Sequence, residues 1–344
     1  MSQLKRCAIF FILLIASCTS TITTTPPSSP TPTTSLDGEK NSDPTSNSNS
    51  NEPNHPKNLS KGNLAECEKL ISSASWQTVS LYELTYQCQP SGWQEFFEKP
   101  EVRLELKRIS SELESFITQG EDINPGVGSV FRALYAVAPS EIKSVIIGQD
   151  PTPAKGQATG LAFSLRPGTP ANVVPSVQRV MLEAINEGHC MNMEDGDLSS
   201  WANQGVLLLN TALTIPCSNS EQFCTANGHK QVWSKFTGML ITHIDAIDSH
   251  FSYILWGGQA GGYATTINNS NHKVLRGGHP SPNANGAKFF CKNYFNCANK
   301  WLVTNGKNAI SWETQKQCYP QEPCVWNNDD SVQCETSCVM SECE

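Results

Sequence analysis

The sequence predicts an α/β domain: a central, mainly parallel four-stranded sheet flanked by helices, followed by a disulfide-rich C-terminal tail. Three observations carry this expectation. Short runs at Val145–Ile147, Val206–Asn210, Phe251–Trp256 and Lys273–Arg276 read as strands, and each stops at a polar or glycine-rich exit. Stretches of helical apolar spacing separate these runs, and helical crossovers between buried strands require a parallel sheet covered on both faces. Finally, Cys318, Cys324, Cys334, Cys338 and Cys343 crowd the last residues, where hydrophobic periodicity is almost absent.

Taken in order, the chain opens with Lys5 and Arg6 before an apolar run, Ala8 to Ala16, too short to span a bilayer. The run ends in Ile15-Ala16-Ser17-Cys18, similar to a bacterial lipobox, in which Cys18 would carry lipid; a plain secretory signal cleaved near Ala16 or Ser17 is the alternative. Residues 1–18 are therefore expected to export the protein, either as a periplasmic or outer-surface lipoprotein or as a secreted chain. Residues 19–63 are rich in Ser, Thr, Pro and Asn, lack aromatics, and are expected to form a disordered tether.

Residues 64–313 are long enough for one α/β domain. Trp93, Phe96, Phe97, Leu104, Leu106, Ile109, Leu113 and Phe116 predict two helices before the first strand. Val177, Val180, Met181, Ala184 and Ile185 predict another, and Val232, Phe236, Met239, Leu240, Ile244 and Ile247 a fourth. Residues 314–344 form a Cys-rich acidic tail.

Fourteen cysteines, less Cys7 and Cys18, leave an even number in an exported chain, so disulfides are expected, with Cys217 and Cys224 placed to pair locally. No Cys-x-x-Cys pair offers a zinc or iron–sulfur ligand set, and no metal or organic cofactor is implied. The formal charge of −8 becomes −10 without Lys5 and Arg6, an unfavourable balance for a nucleic-acid binder. The charge is uneven, however. From Ser249 to Trp312 there is no acid, while Lys273, Arg276, Lys288, Lys292, Lys300 and Lys307 give +6, and the basic stretch from Lys273 to Lys300 is expected to face nucleic acid.

The organising stretch is Ser144 to Ser164. Its buried strand delivers Gln149 and Asp150 into a loop stiffened by Pro151 and Pro153, and Phe163 follows as an apolar plate. Together Gly148-Gln-Asp-Pro151, Gly160-Leu-Ala-Phe-Ser164, Trp201–Thr214 and His279-Pro-Ser-Pro282 resemble family 1 uracil-DNA glycosylase, from roughly Leu81 to Trp312. The resemblance implies that the domain hydrolyses the bond between uracil and its deoxyribose in DNA, as a monomer. It implies that Asp150 orients water and opposes the positive sugar, and that His279 hydrogen-bonds uracil O2. It further implies that Phe163 stacks on the base, that Gln149 lines the O2 side through its backbone, and that Ser176, Gly257, Gly258 and Ser281 grip phosphates. Asn210 offers an acceptor to N3–H and a donor to O4, a pattern that cytosine inverts.

Several positions depart from the family pattern. Thr152 stands for the Tyr that excludes the thymine methyl, and Pro153 for a His. Asn283 stands for the Leu that wedges into the base stack; Ala287, with Lys288 beside it, for an Arg. The Pro-rich loop is thinned to Thr169–Ser176. These changes leave the chemical centre and alter the equipment for entering a duplex, so single-stranded uracil substrates are expected to be favoured and 5-substituted uracil or thymine to be released slowly. The alternative is a catalytically retired, exported domain that binds DNA or a protein partner.

Overall fold

The computed structural model describes residues 64–218, 223–282, 284, 288–315, 324–326, 332–334 and 342–343. The export signal with Cys18, the tether, Asn283, Ala287 and most of the tail lie outside the described residues.

Helices α1 (Leu64–Ser73), α2 (Leu81–Gln87), α3 (Gln94–Phe97) and α4 (Pro100–Thr118) precede any strand. A capping box starts α2: Ser80 Oγ accepts the Glu83 N–H at 3.1 Å, and Glu83 returns a carboxylate to the Ser80 N–H. In α4, Pro100 occupies the first turn, where its missing N–H costs nothing, and Val102, Leu106, Ile109 and Leu113 form the buried face. Leu104, expected in that stripe, is 69% exposed. It lies two residues from both Val102 and Leu106, which on a 3.6-residue turn places it on the opposite face.

A three-residue strand β1 (Asp122–Asn124) and helix α5 (Arg132–Ala136) follow, then β2 (Ser144–Gly148), α6 (Pro175–Asn186), α7 (Ser199–Ala202) and β3 (Val206–Asn210). The chain continues through β4 (Ile215–Cys217), α8 (Lys230–Asp245), β5 (Phe251–Trp256), α9 (Gly257–Gly262), β6 (His272–Gly277) and α10 (Tyr294–Thr304). The main sheet has the order β3-β2-β5-β6 with every pair parallel, as expected. Residues of β2, β3 and β5 are buried along their whole length, the signature of strands covered on both faces. Helices α5 and α7 pack on β3, α10 packs on β5 and β6, and α4 packs on α8. The antiparallel pair β1–β4 was not legible in the sequence.

Glu183 on α6 and Glu187 just past its end fix the start of α10. Glu183 accepts the Cys291 and Lys292 N–H groups at 3.0 and 2.9 Å, and Glu187 accepts the Asn296 N–H at 2.8 Å. Burial pushes the Glu187 carboxyl up to about 8, and raises that of Glu183 as well.

Disulfides join Cys67–Cys88, Cys217–Cys224 and Cys297–Cys343. The third ties the tail to α10 across 46 residues of sequence. A closure of that length stabilises by about 4 kcal/mol in the chain-entropy description. The described tail residues include a hairpin of β7 (Cys324–Trp326) and β8 (Val332–Cys334).

Candidate active site

Gly148 ends β2 and releases Gln149 and Asp150 between β3 and β5. From β2 the chain goes to β3 on one side, whereas β5 leads to β6 on the other. Crevices in open parallel sheets form at such a reversal, outside the carboxyl ends of the strands.

No side chain fits at Gly148. A Cβ there would lie 2.3 Å from Asn210 Oδ1 and 3.0 Å from the Ala162 Cβ. The parallel register pairs Gly148 with Asn210, so the buried Asn210 amide stands directly over the glycine. The Gln149 carbonyl then locks the two strand exits together. It accepts the Thr211 hydroxyl at 2.8 Å and the Ala212 N–H at 2.9 Å. Gly148→Ala should therefore displace the Asn210 amide; on the base-reading role expected of Asn210 from the sequence, kcat/KM for uracil should fall by roughly 10–200-fold. The check is steady-state base release at unchanged thermal stability.

Phe163 takes the left-handed conformation, φ 59°, which is strained for an aromatic residue. The strain is held by its neighbours: the Ala162 N–H donates to the Leu208 carbonyl at 3.0 Å. The ring meets Trp256 edge-on at 5.2 Å and lies 6.4 Å from the His279 ring.

His279 sits in a loop closed at its base by the Gly278 N–H donating to the Lys288 carbonyl at 3.1 Å. The Ser281 N–H donates to His279 Nδ1 at 3.0 Å. A backbone N–H cannot accept, so Nδ1 carries the lone pair and the ring proton is on Nε2. Burial holds the imidazole below its ordinary pKa, against the opposing pull of the Asp150 carboxylate. Gly257, at φ 85°, lets the chain leaving β5 pass close under this ring, since a Cβ there would lie 2.8 Å from the His279 Cβ.

Asp150 is anchored through one oxygen. Its Oδ2 accepts Gln149 Nε2 at 2.8 Å and the Asn227 N–H at 3.0 Å. Oδ1 is buried and has no hydrogen-bond partner among the described residues.

The structure thus gathers Asp150, Phe163, Asn210 and His279 at one mouth. Gln149, foreseen as a backbone contact, also holds Asp150 with its side chain. Ser281, foreseen as a phosphate contact, sets the histidine tautomer through its N–H. Thr152 is buried in the loop after Asp150. Gly257 and Gly258 open α9 beside His279, whereas Ser176 lies half-buried in the first turn of α6. Lys288 is exposed and Lys292 half-buried. Asn227 and Gln259 were missed in the sequence, although Asn227-Gly228 is a dipeptide that favours positive φ.

Residues 135–303 match the model of the Uracil DNA glycosylase superfamily. A uracil-DNA glycosylase of Streptococcus suis is 36% identical over 223 residues, 64% of this chain and 98% of its own length. One from Agrobacterium fabrum is 38% identical over 196 residues, 57% of this chain and 78% of its own. The solved structure of mimivirus uracil-DNA glycosylase aligns with a TM-score of 0.60 at 23% identity, over 75% of this chain and 96% of its own, a likeness of fold.

Proposed function

The chain belongs to the uracil-DNA glycosylase family, and we propose that Asp150, His279, Asn210 and Phe163 carry its reaction. The protein is a hydrolase that cleaves the N-glycosidic bond of uracil in DNA, leaving an abasic site. The observation that carries the mechanism is the Ser281 N–H on His279 Nδ1, because it leaves a neutral imidazole with Nε2–H as donor.

In this mechanism the base leaves the stack and enters the mouth, where Phe163 stacks on it and the Asn210 amide pairs with N3–H and O4. As the C1′–N1 bond lengthens, negative charge gathers on uracil O2, and His279 Nε2–H stabilises it there. The sugar becomes positive at C1′. Asp150 opposes that charge, and Oδ1, the oxygen without a donor among the described residues, accepts a hydrogen bond from the attacking water. The water oxygen bonds to C1′, its proton passes to the carboxylate, and uracil departs with the bonding pair.

The finer substrate preference rests on two small residues. Asn283 cannot fill the gap left by a flipped base as an apolar wedge does, and unstacking costs a few kcal/mol in a duplex but little in a single strand. Thr152 places a small group where thymine must be excluded by bulk, and a methyl-sized difference is worth only about 1–3 kcal/mol. Single-stranded uracil DNA is therefore the preferred substrate, with slow release of 5-substituted uracils. Base release from matched single- and double-stranded oligonucleotides carrying uracil or 5-methyluracil tests both points. Asn283→Leu should raise duplex turnover while single-strand turnover stays nearly constant. Equal wild-type rates on both strands, or no release of any 5-substituted base, would refute the corresponding preference.

Export as a lipoprotein through Cys18, or by secretion, is the reading of the N-terminus, and action as a monomer is the companion reading. The disulfides support export, since such bonds persist in oxidising compartments.

A further inference from the structure

We propose that Asn227 is the positioning residue for Asp150, acting through its backbone N–H, and that the Cys217–Cys224 disulfide and Gln259 hold it in place. The inference rests on Asp150 being the water-orienting carboxylate.

The loop that carries Asp150 supplies few donors of its own. Pro151 and Pro153 have no N–H; the Pro153 carbonyl instead ties the loop to the neighbouring segment by accepting the Cys224 N–H at 2.8 Å. Of the two donors to Asp150 Oδ2, Gln149 Nε2 ends a flexible side chain, whereas the Asn227 N–H belongs to the main chain of a separate segment. A backbone donor is positioned only as well as its segment is fixed.

That segment is fixed from three sides. Upstream, the disulfide closes Cys217 onto Cys224, Ala154 forms an antiparallel bridge with Phe223, and the Thr225 N–H donates to the Pro216 carbonyl at 2.9 Å. Downstream, the buried His229 bonds Thr214 Oγ1 through Nδ1 and Glu121 through Nε2, both at 2.9 Å. Trp233 Nε1 donates to the same Thr214 oxygen at 2.7 Å, leaving the hydroxyl proton for His229 Nδ1. Gly228 lies so close to Pro216 that a Cβ would sit 2.3 Å from its Cγ. From the side, Gln259 Nε2 on α9 donates to Asn227 Oδ1 at 2.7 Å.

Asn227 itself sits at φ 62°, a left-handed conformation that Asn adopts readily and a β-branched residue does not. That turn aims its N–H back at Asp150. The clamp also joins the strand exit of β5 to the carboxylate, through Gln259 and Asn227.

The test uses the oxidised full chain and single-stranded uracil oligonucleotides, with kcat and KM measured separately. Asn227→Val cannot hold the positive φ, and kcat should fall by about 100-fold, the cost of misplacing a catalytic group by an ångström, with KM changed less than about twofold. Asn227→Gly keeps both φ and N–H, so kcat should fall no more than a few-fold despite the lost Gln259 contact. Because Asn227→Val could unfold the loop, the pair Cys217→Ser, Cys224→Ser serves as a second probe and should also lower kcat at constant KM. Wild-type kcat in Asn227→Val, equal loss in the Val and Gly variants, or an effect on KM alone would each overturn the proposal. If the Cys pair retained wild-type kcat, the disulfide's part in it would fall. An inactive wild type, or an unimpaired Asp150→Asn control, would instead refute the underlying mechanism.

Discussion

Asp150→Asn should lower uracil release by about 10²–10⁴-fold, the range for removing a positioned general base, while DNA binding is retained. The substitution keeps size and an acceptor oxygen. It removes the charge that opposes the positive sugar and the site that takes the water proton. Oδ2 already holds two donors, from Gln149 and Asn227. An amide oriented to keep those bonds must present its NH2 where Oδ1 stood, and an NH2 cannot accept from water. Single-turnover release alongside oligonucleotide binding would check this. Loss of binding with the chemical rate preserved would show that Asp150 acts on DNA rather than on water.

His279→Gln should cost about 10²–10³-fold, the usual effect of losing one donor to a developing anion. A Gln amide can donate a hydrogen bond, but its acceptor oxygen lies one bond farther from Cβ than Nδ1, out of register with the Ser281 N–H, so the donor would lose its aim. The pH dependence follows from the same bond. Burial keeps the imidazole pKa below its ordinary value. His279 is therefore neutral at pH 7, and its proton is gained only as pH falls through the lowered pKa. Protonation places N–H on Nδ1, against the Ser281 N–H, and breaks the turn. The contribution of His279 should thus be intact at neutral pH, decline on acidification below the ordinary imidazole range, and be missing from the pH profile of His279→Gln. An activity that instead rises as the imidazole protonates would require imidazolium as the donor.

The fold was legible where burial leaves a continuous trace. β2, β3 and β5 are buried on both faces, so their residues read as unbroken apolar runs, and Asp150 and Asn210 sit at the ends of the first two. Asp150, Asn210 and His279 could be singled out because the role proposed for each lies in a side chain that a motif specifies. The role proposed for Asn227 uses an N–H that every residue except proline possesses, so its identity encodes only a tolerance for positive φ. The strands β1 and β4 are three residues long, too short for an alternating pattern to stand out. Leu104 shows the converse error: an apolar residue near a helical stripe belongs to the core only if its angular position does.

The most direct measurement is the amount of free uracil and of abasic sites produced by the purified, oxidised protein from a single-stranded oligonucleotide containing one uracil, beside the same oligonucleotide with cytosine. The structure predicts free uracil in equal amount to abasic sites, over many turnovers and without added metal, none from cytosine, and loss of both products in Asp150→Asn. Absence of free uracil from wild type, or the same yield from Asp150→Asn, would contradict the assignment of this site as a uracil-DNA glycosylase centre.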